Sequence, residues 1–279
     1  MSYKTILVHV DGDERAKERM RIAAKIALAE KAYLIGASLT GVSKLLSKGA
    51  VLNNKDQHLR RHVELSTERA VSALDAFEPI VHEVGVKSYA TRVVDDETGG
   101  GICLQARYCD LVVIGQTNPE APAVLDTPDF PEYVLMNSGR PVLIVPYVGR
   151  FDNVGKRVLI SWDASRESTR AVTDAIPLLK HAELVQVVVF MNGERSSAHG
   201  EQPGADIALY LARHGINVEV SQQKTDLDIG NALLSHATDF GADLIVMGGY
   251  GTSRFREMLL GGATRTVLET MTVPVFMAH

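Results

Sequence analysis

Short runs of nearly continuous apolar residues alternate along this chain with stretches whose apolar positions recur every three or four residues. The runs predict strands at residues 5–10, 33–39, 86–94, 111–115 and 141–145, and again at 157–161, 184–190, 217–222, 244–248 and 274–277. The stretches between them predict helices. Strands without a polar face are covered on both sides, so the expected fold class is α/β, with two tandem open parallel sheets in three-layer α/β/α domains.

The pattern is written twice. Cys109-Asp110-Leu111-Val112-Val113-Ile114-Gly115 returns as Ala242-Asp243-Leu244-Ile245-Val246-Met247-Gly248, an offset of 243 − 110 = 133. Pro141-Val142-Leu143-Ile144-Val145 returns as Pro274-Val275-Phe276-Met277-Ala278, again 274 − 141 = 133. Two separate segments with one offset indicate a duplication. The first strands, ending at Asp11 and Asp163, differ by 163 − 11 = 152, so the first half holds 152 − 133 = 19 extra residues before its fourth strand. They are assigned to residues 41–83, where Leu59, Val63, Ala70, Leu74 and Phe77 predict one long amphipathic helix from about Lys55 to Phe77. Its counterpart, residues 206–214, is shorter and lies between Pro203-Gly204 and Gly215. Residues 146–155 read as a linker, giving domains at 1–147 and 154–279.

The chemistry concentrates where the apolar strand 244–247 runs into Gly248. Gly251 follows, then Gly261 and Gly262, a G-x2-G-x9-G spacing with one more glycine. Glycines so placed either close a tight turn or let backbone N–H groups converge on a phosphate with no Cβ in the way. Asp163, at the end of the first strand of its half, either accepts from a ribose hydroxyl or adenine amine, or caps the helix beginning near Arg166, a role Ser165 shares. Thr264 and Arg265 fall in the first turn of the helix after Gly262, where an anion is favoured. Arg254 and Arg256 either reach phosphate oxygens or pair with a neighbour such as Glu257. In the first half the matching positions are Gly115, Asn118, Pro128 and Asp129. Proline offers no N–H, and Asp126, Asp129 and Glu132 repel a phosphate, so that site is expected to be dismantled.

Composition narrows the classes. A net charge of −5, with no Lys/Arg cluster beside aromatics, argues against nucleic acid as a partner. The first residues do not read as a signal peptide and no apolar run reaches the ~18 residues of a membrane helix, so a soluble, cytoplasmic protein without membrane contact is expected. Cys103 and Cys109 are expected to be reduced and buried. No G-x-x-x-x-G-K-[ST] is present, and Gly249-Tyr250-Gly251 lacks the third glycine of a dinucleotide fingerprint and follows a fourth strand, not a first. His58 and His62 stand at i and i+4 with arginines between them, which fits a solvated helix face, and no metal site is expected. No catalytic constellation is recognised.

The glycine spacing, Asp163 at its strand end and the closing strand 272–277 together resemble the universal stress protein family. The likeness spans almost the whole chain, most strongly 157–279 and 95–115. It implies a Rossmann-like, adenine-nucleotide hydrolase-like fold and a stress-response or regulatory role. It also implies ATP or a related adenine nucleotide, with Mg²⁺, held in the second half by Asp163, Ala164, Met247, Gly248, Gly251, Arg254, Gly261, Gly262, Ala263 and Thr264. Little or no turnover is expected. ATP-binding members place Ser or Thr where this chain has Gly262. The missing hydroxyl costs about 1.5–3 kcal/mol, roughly ten- to a hundredfold in affinity. The alternative is a nucleotide-free interaction scaffold; an enzyme using adenylate chemistry rests on fold alone. Family members pair their closing strands, so an intrachain pseudo-dimer is expected, with homodimerisation beyond it.

Overall fold

The computed structural model describes residues 2–43, 57–119, 129–191, 202–251 and 262–279. Among the described residues it holds ten strands and nine helices, in two compact units, Ser2–Arg140 and Pro141–His279.

The first unit carries β1 (Thr5–His9), β2 (Tyr33–Leu39), β3 (Tyr89–Val94) and β4 (Leu111–Gly115) in the order β3-β2-β1-β4, all parallel. Its helices are α1 (Ala16–Glu30), α2 (Gln57–Leu74), α3 (Phe77–Val84), α4 (Thr98–Ala106) and α5 (Phe130–Asn137). The extra residues enter between β2 and β3, because the offset to the second unit falls there from 184 − 33 = 151 to 218 − 89 = 129. The helix expected from about Lys55 to Phe77 is α2, which stops at Leu74; Phe77 does not close it but opens a second helix, α3. Proline explains the break: in one continuous helix the ring of Pro79 would meet the carbonyl of Asp75 and leave it without a donor. The chain turns at residues 75 and 76, and Pro79 falls in the first turn of α3, where its missing N–H costs nothing. Phe77, fully buried, then fills the space over Gly36, where a Cβ would lie 2.8 Å from its ring.

The second unit carries β5 (Val142–Val145), β6 (Arg157–Ser161), β7 (Leu184–Met191), β8 (Val218–Lys224), β9 (Leu244–Gly248) and β10 (Val275–Ala278), ordered β5-β10-β9-β6-β7-β8. Its helices are α6 (Arg166–Leu179), α7 (Ala205–Arg213), α8 (Ile229–Phe240) and α9 (Ala263–Thr270). All its neighbouring strands are parallel except β10 and β5, which run antiparallel with Val275 opposite Ile144 and Met277 opposite Val142. The closing strands thus lie side by side as expected. For that reason β5 belongs to the second compact unit, and the units divide at Arg140 and Pro141, ahead of the linker read from the sequence.

The duplicated Asp-Leu motif has a structural task. Asp243 accepts from the backbone N–H groups of Gly155, Lys156 and Arg157 at 2.9–3.1 Å, and Asp110 accepts from those of Lys4 and Thr5 at 2.7 and 3.0 Å. Each carboxylate fixes the start of a neighbouring strand whose first donors would otherwise be unpaired. Cys103 and Cys109 are buried free thiols. Among the described residues no helix is long and apolar enough to cross a membrane.

Candidate functional site

In the second unit, chain order runs outward from β6 through β7 and β8 on one side and is met by β9 on the other, so the switch point of the sheet lies between β6 and β9. Ligands of open parallel sheets bind beyond the carboxyl ends of strands at such a point. Ile160 pairs with Val246 there, which brings Asp163, two residues past β6, and the glycine loop after β9 to the same rim.

Asp163 is exposed, and its Oδ1 accepts from the Ser165 N–H at 2.9 Å. It does not cap α6. Ser165 does, accepting from the Ser168 N–H at 3.1 Å. Between them Ala164 is held at φ 61°, a left-handed conformation that a Cβ disfavours. Tyr250, on the opposite loop, is held at φ 50°. Two strained residues on the two loops of one rim are the kind of cost that persists where the surroundings over-determine it.

Met247 is buried in β9 beside Met277, so its side chain belongs to the core. Gly248 is set by packing: a Cβ there would lie 2.5 Å from the backbone nitrogen of Ser168 and 2.7 Å from the carbonyl carbon of Glu167. The first turn of α6 rests on the bare end of β9. Past it, the Gly249 N–H donates to the Ala278 carbonyl and the Tyr250 N–H to Thr264 Oγ1, at 2.9 and 3.2 Å. The His279 ring nitrogen Nδ1 lies 3.0 Å from the Gly249 carbonyl oxygen.

The Tyr250–Thr264 bond ties the glycine loop to the first turn of α9. Thr264 is almost wholly buried, so its hydroxyl holds the loop in place before it serves any ligand. Gly262 is the N-cap and has no side chain to accept from that turn. Among the described residues nothing caps the amides of Ala263 and Thr264, next to the Tyr250 contact, and such donors attract an anion. Arg265 pairs with Glu269 at 2.7 Å. Arg254, Arg256, Glu257 and Gly261 lie outside the described residues.

Sequence reasoning passed over Glu167. It is the second residue of α6, 7% exposed, and among the described residues its buried Oε2 has no hydrogen-bond partner. A Cβ on Gly251 would lie 3.7 Å from that oxygen, so the carboxylate points at the glycine loop.

The first unit has a different arrangement at its own corresponding rim. Arg19, 4% exposed, donates from Nε to the His9 carbonyl at 2.7 Å and from a terminal nitrogen to Asp11 Oδ2 at 2.8 Å. Its other terminal nitrogen lies where a Cβ on Gly115 would be. Asp11, the counterpart of Asp163, is thus neutralised from within. Burial tends to raise its pKa, but Arg19, His9 and the Asp13 amide together hold it below the usual value. Asp129, the N-cap of α5, makes no side-chain cap, and Pro128 and Asp126 lie outside the described residues. His58 and His62 are exposed on α2.

His9 is buried against Phe130, with ring centroids 5.1 Å apart, and among the described residues its Nδ1 has no hydrogen-bond partner. Burial lowers its pKa to about 4, with Asp11 opposing and Arg19 reinforcing the shift. Between about pH 6.5 and 4 the unfolded chain binds a proton that the folded one refuses. Stability from this group is therefore complete above pH 6.5 and falls on acidification, by up to about 3 kcal/mol. Denaturant titrations across that window are expected to show the slope in the natural protein and to lose it in His9→Leu; a slope unchanged by the substitution would assign it to other groups.

Residues 155–279 match the model of the universal stress protein family. No curated protein matches the chain. Among solved structures, a universal stress protein from Archaeoglobus fulgidus is 19% identical, over 98% of this chain and 94% of its own, with a TM-score of 0.70. A putative universal stress protein from Pseudomonas aeruginosa is 17% identical, over 98% and 92%, with a TM-score of 0.62. At such identities the likeness is one of fold, in a two-domain layout across the whole chain. The second half, which carries the glycine loop, is a universal stress protein domain.

Proposed function

We propose that the second half binds an adenine nucleotide, ATP or a close relative with Mg²⁺, and that the protein acts as a nucleotide-dependent regulatory module in a cytoplasmic stress response with little or no turnover. The contact that carries this is the Tyr250–Thr264 hydrogen bond, which sets Gly251 against the uncapped first turn of α9. Phosphates are expected on Gly251, Gly261, Gly262, Ala263 and Thr264, with Arg254 beside them. Adenine and ribose are expected near Asp163 and Ala164, past β6. Gly248 shapes the floor by letting α6 approach. Mg²⁺ fits because it needs only one or two carboxylates when phosphates supply the remaining ligands.

The first half is not expected to bind, since Arg19 and Asp11 satisfy each other where the ligand would enter. Titration calorimetry with ATP and Mg²⁺ is expected to give one site per chain. Gly262→Asp, which sets a carboxylate at the uncapped turn, is expected to weaken binding at least a hundredfold. A stoichiometry of two, or full binding by the variant, would relocate the site. Gly262, with no hydroxyl for a phosphate, favours a second reading, a nucleotide-free scaffold; absence of any heat with the natural protein would support it.

A further inference from the structure

The two rims differ in the sign of the charge they seat. At the end of β4 the first unit places a buried cation, Arg19, paired with Asp11. At the end of β9 the second unit places a buried anion, Glu167, and among the described residues no Lys, Arg or His lies within ion-pair distance of it or of Asp163. An unpaired carboxylate in a buried setting is costly, and pointing it at a phosphate loop repels the ligand the loop would hold.

Resting on the nucleotide assignment above, we propose that Glu167 is the protein's ligand for the divalent cation of the bound nucleotide, which makes the site selective for the metal complex over the free anion. Its Oε2 faces Gly251, where the phosphates are expected, so a cation between the two would neutralise both. Mg²⁺ suits such a position, because it keeps several waters and takes a single carboxylate alongside phosphate oxygens. The described residues alone contain no group of three or more metal-ligating side chains, in keeping with a cation that arrives with its nucleotide.

The test is a pair of ATP titrations on the full chain, one with Mg²⁺ and one with EDTA, repeated for Glu167→Gln and Glu167→Ala. The natural protein is expected to lose at least tenfold in affinity without metal. In both variants that ratio is expected to fall below about threefold, chiefly because metal-free ATP binds more tightly once the charge is gone. Without ligand, the Glu167→Gln chain, nearly equal in volume, is expected to melt no lower than the natural one, and this readout keeps a folding defect apart from a binding one. If the natural protein binds both forms of ATP equally, the metal role falls while the nucleotide site stands. If both variants weaken the two forms alike, Glu167 instead accepts from a ligand hydroxyl and the proposal is wrong. If the natural protein binds neither form, the nucleotide assignment itself fails and this one with it.

Discussion

Arg19→Leu is expected to destabilise the first unit by about 3 kcal/mol in denaturant titrations, near the low end of what removing one partner of a buried ion pair costs. The low end applies because the Asp11 side chain keeps 30% of its exposure and stays partly hydrated. The loss has two parts. The His9 carbonyl gives up the 2.7 Å bond from Arg19 Nε, and Asp11 is left charged beside a buried imidazole. Adding Asp11→Asn to the leucine variant should restore part of the stability, since the stranded charge is then gone. A change below about 0.5 kcal/mol for Arg19→Leu would mean that the pair is hydrated and the rim open.

Gly248→Ala is expected to cost about 3 kcal/mol or more, at the upper end of overpacking penalties, while Gly115→Ala costs about 1 kcal/mol. The two glycines are equivalent by the repeat but face different neighbours. At Gly248 the added methyl meets backbone of α6, at 2.5 Å from Ser168 and 2.7 Å from Glu167, and a helix must shift to admit it. At Gly115 it meets only the tip of the Arg19 side chain, whose remaining terminal nitrogen can shift while the two hydrogen bonds from its other nitrogens hold. Thermal melts of the two variants decide the matter; equal losses would show that α6 yields as easily as a side chain.

Short runs rich in strand formers located the ten strands of the described residues, most of them because they are apolar and bounded by polar turns; β3 and β8 are the more polar and exposed exceptions. The break between α2 and α3 was in principle visible at Pro79, but the apolar spacing through Leu74 and Phe77 masked it. Arg19 and Glu167 each sit on the buried stripe of a helix, three residues after Ala16 and four before Ala171. A charge in such a stripe is a signal, yet its meaning depends on which strand end the helix crosses, and that is a tertiary fact. The strain at Ala164 and Tyr250 has no sequence signature at all, since neither residue is one that prefers a left-handed backbone. Asp163 was legible as a rim residue, and Ser165 as the cap followed once the helix start was fixed.

The antiparallel partnership of β5 with β10 sets the smallest separable part of this protein. A fragment cut at residue 154 would retain the glycine loop but lose Val142, Leu143 and Ile144 from the flank of β10. Val275, Phe276 and Met277, fully buried in the whole chain, would then line a bare row of amides and carbonyls open to any passing strand. The second half is therefore a self-sufficient module only when it takes with it the closing strand written in the other repeat, and expression trials should begin at or before Arg140.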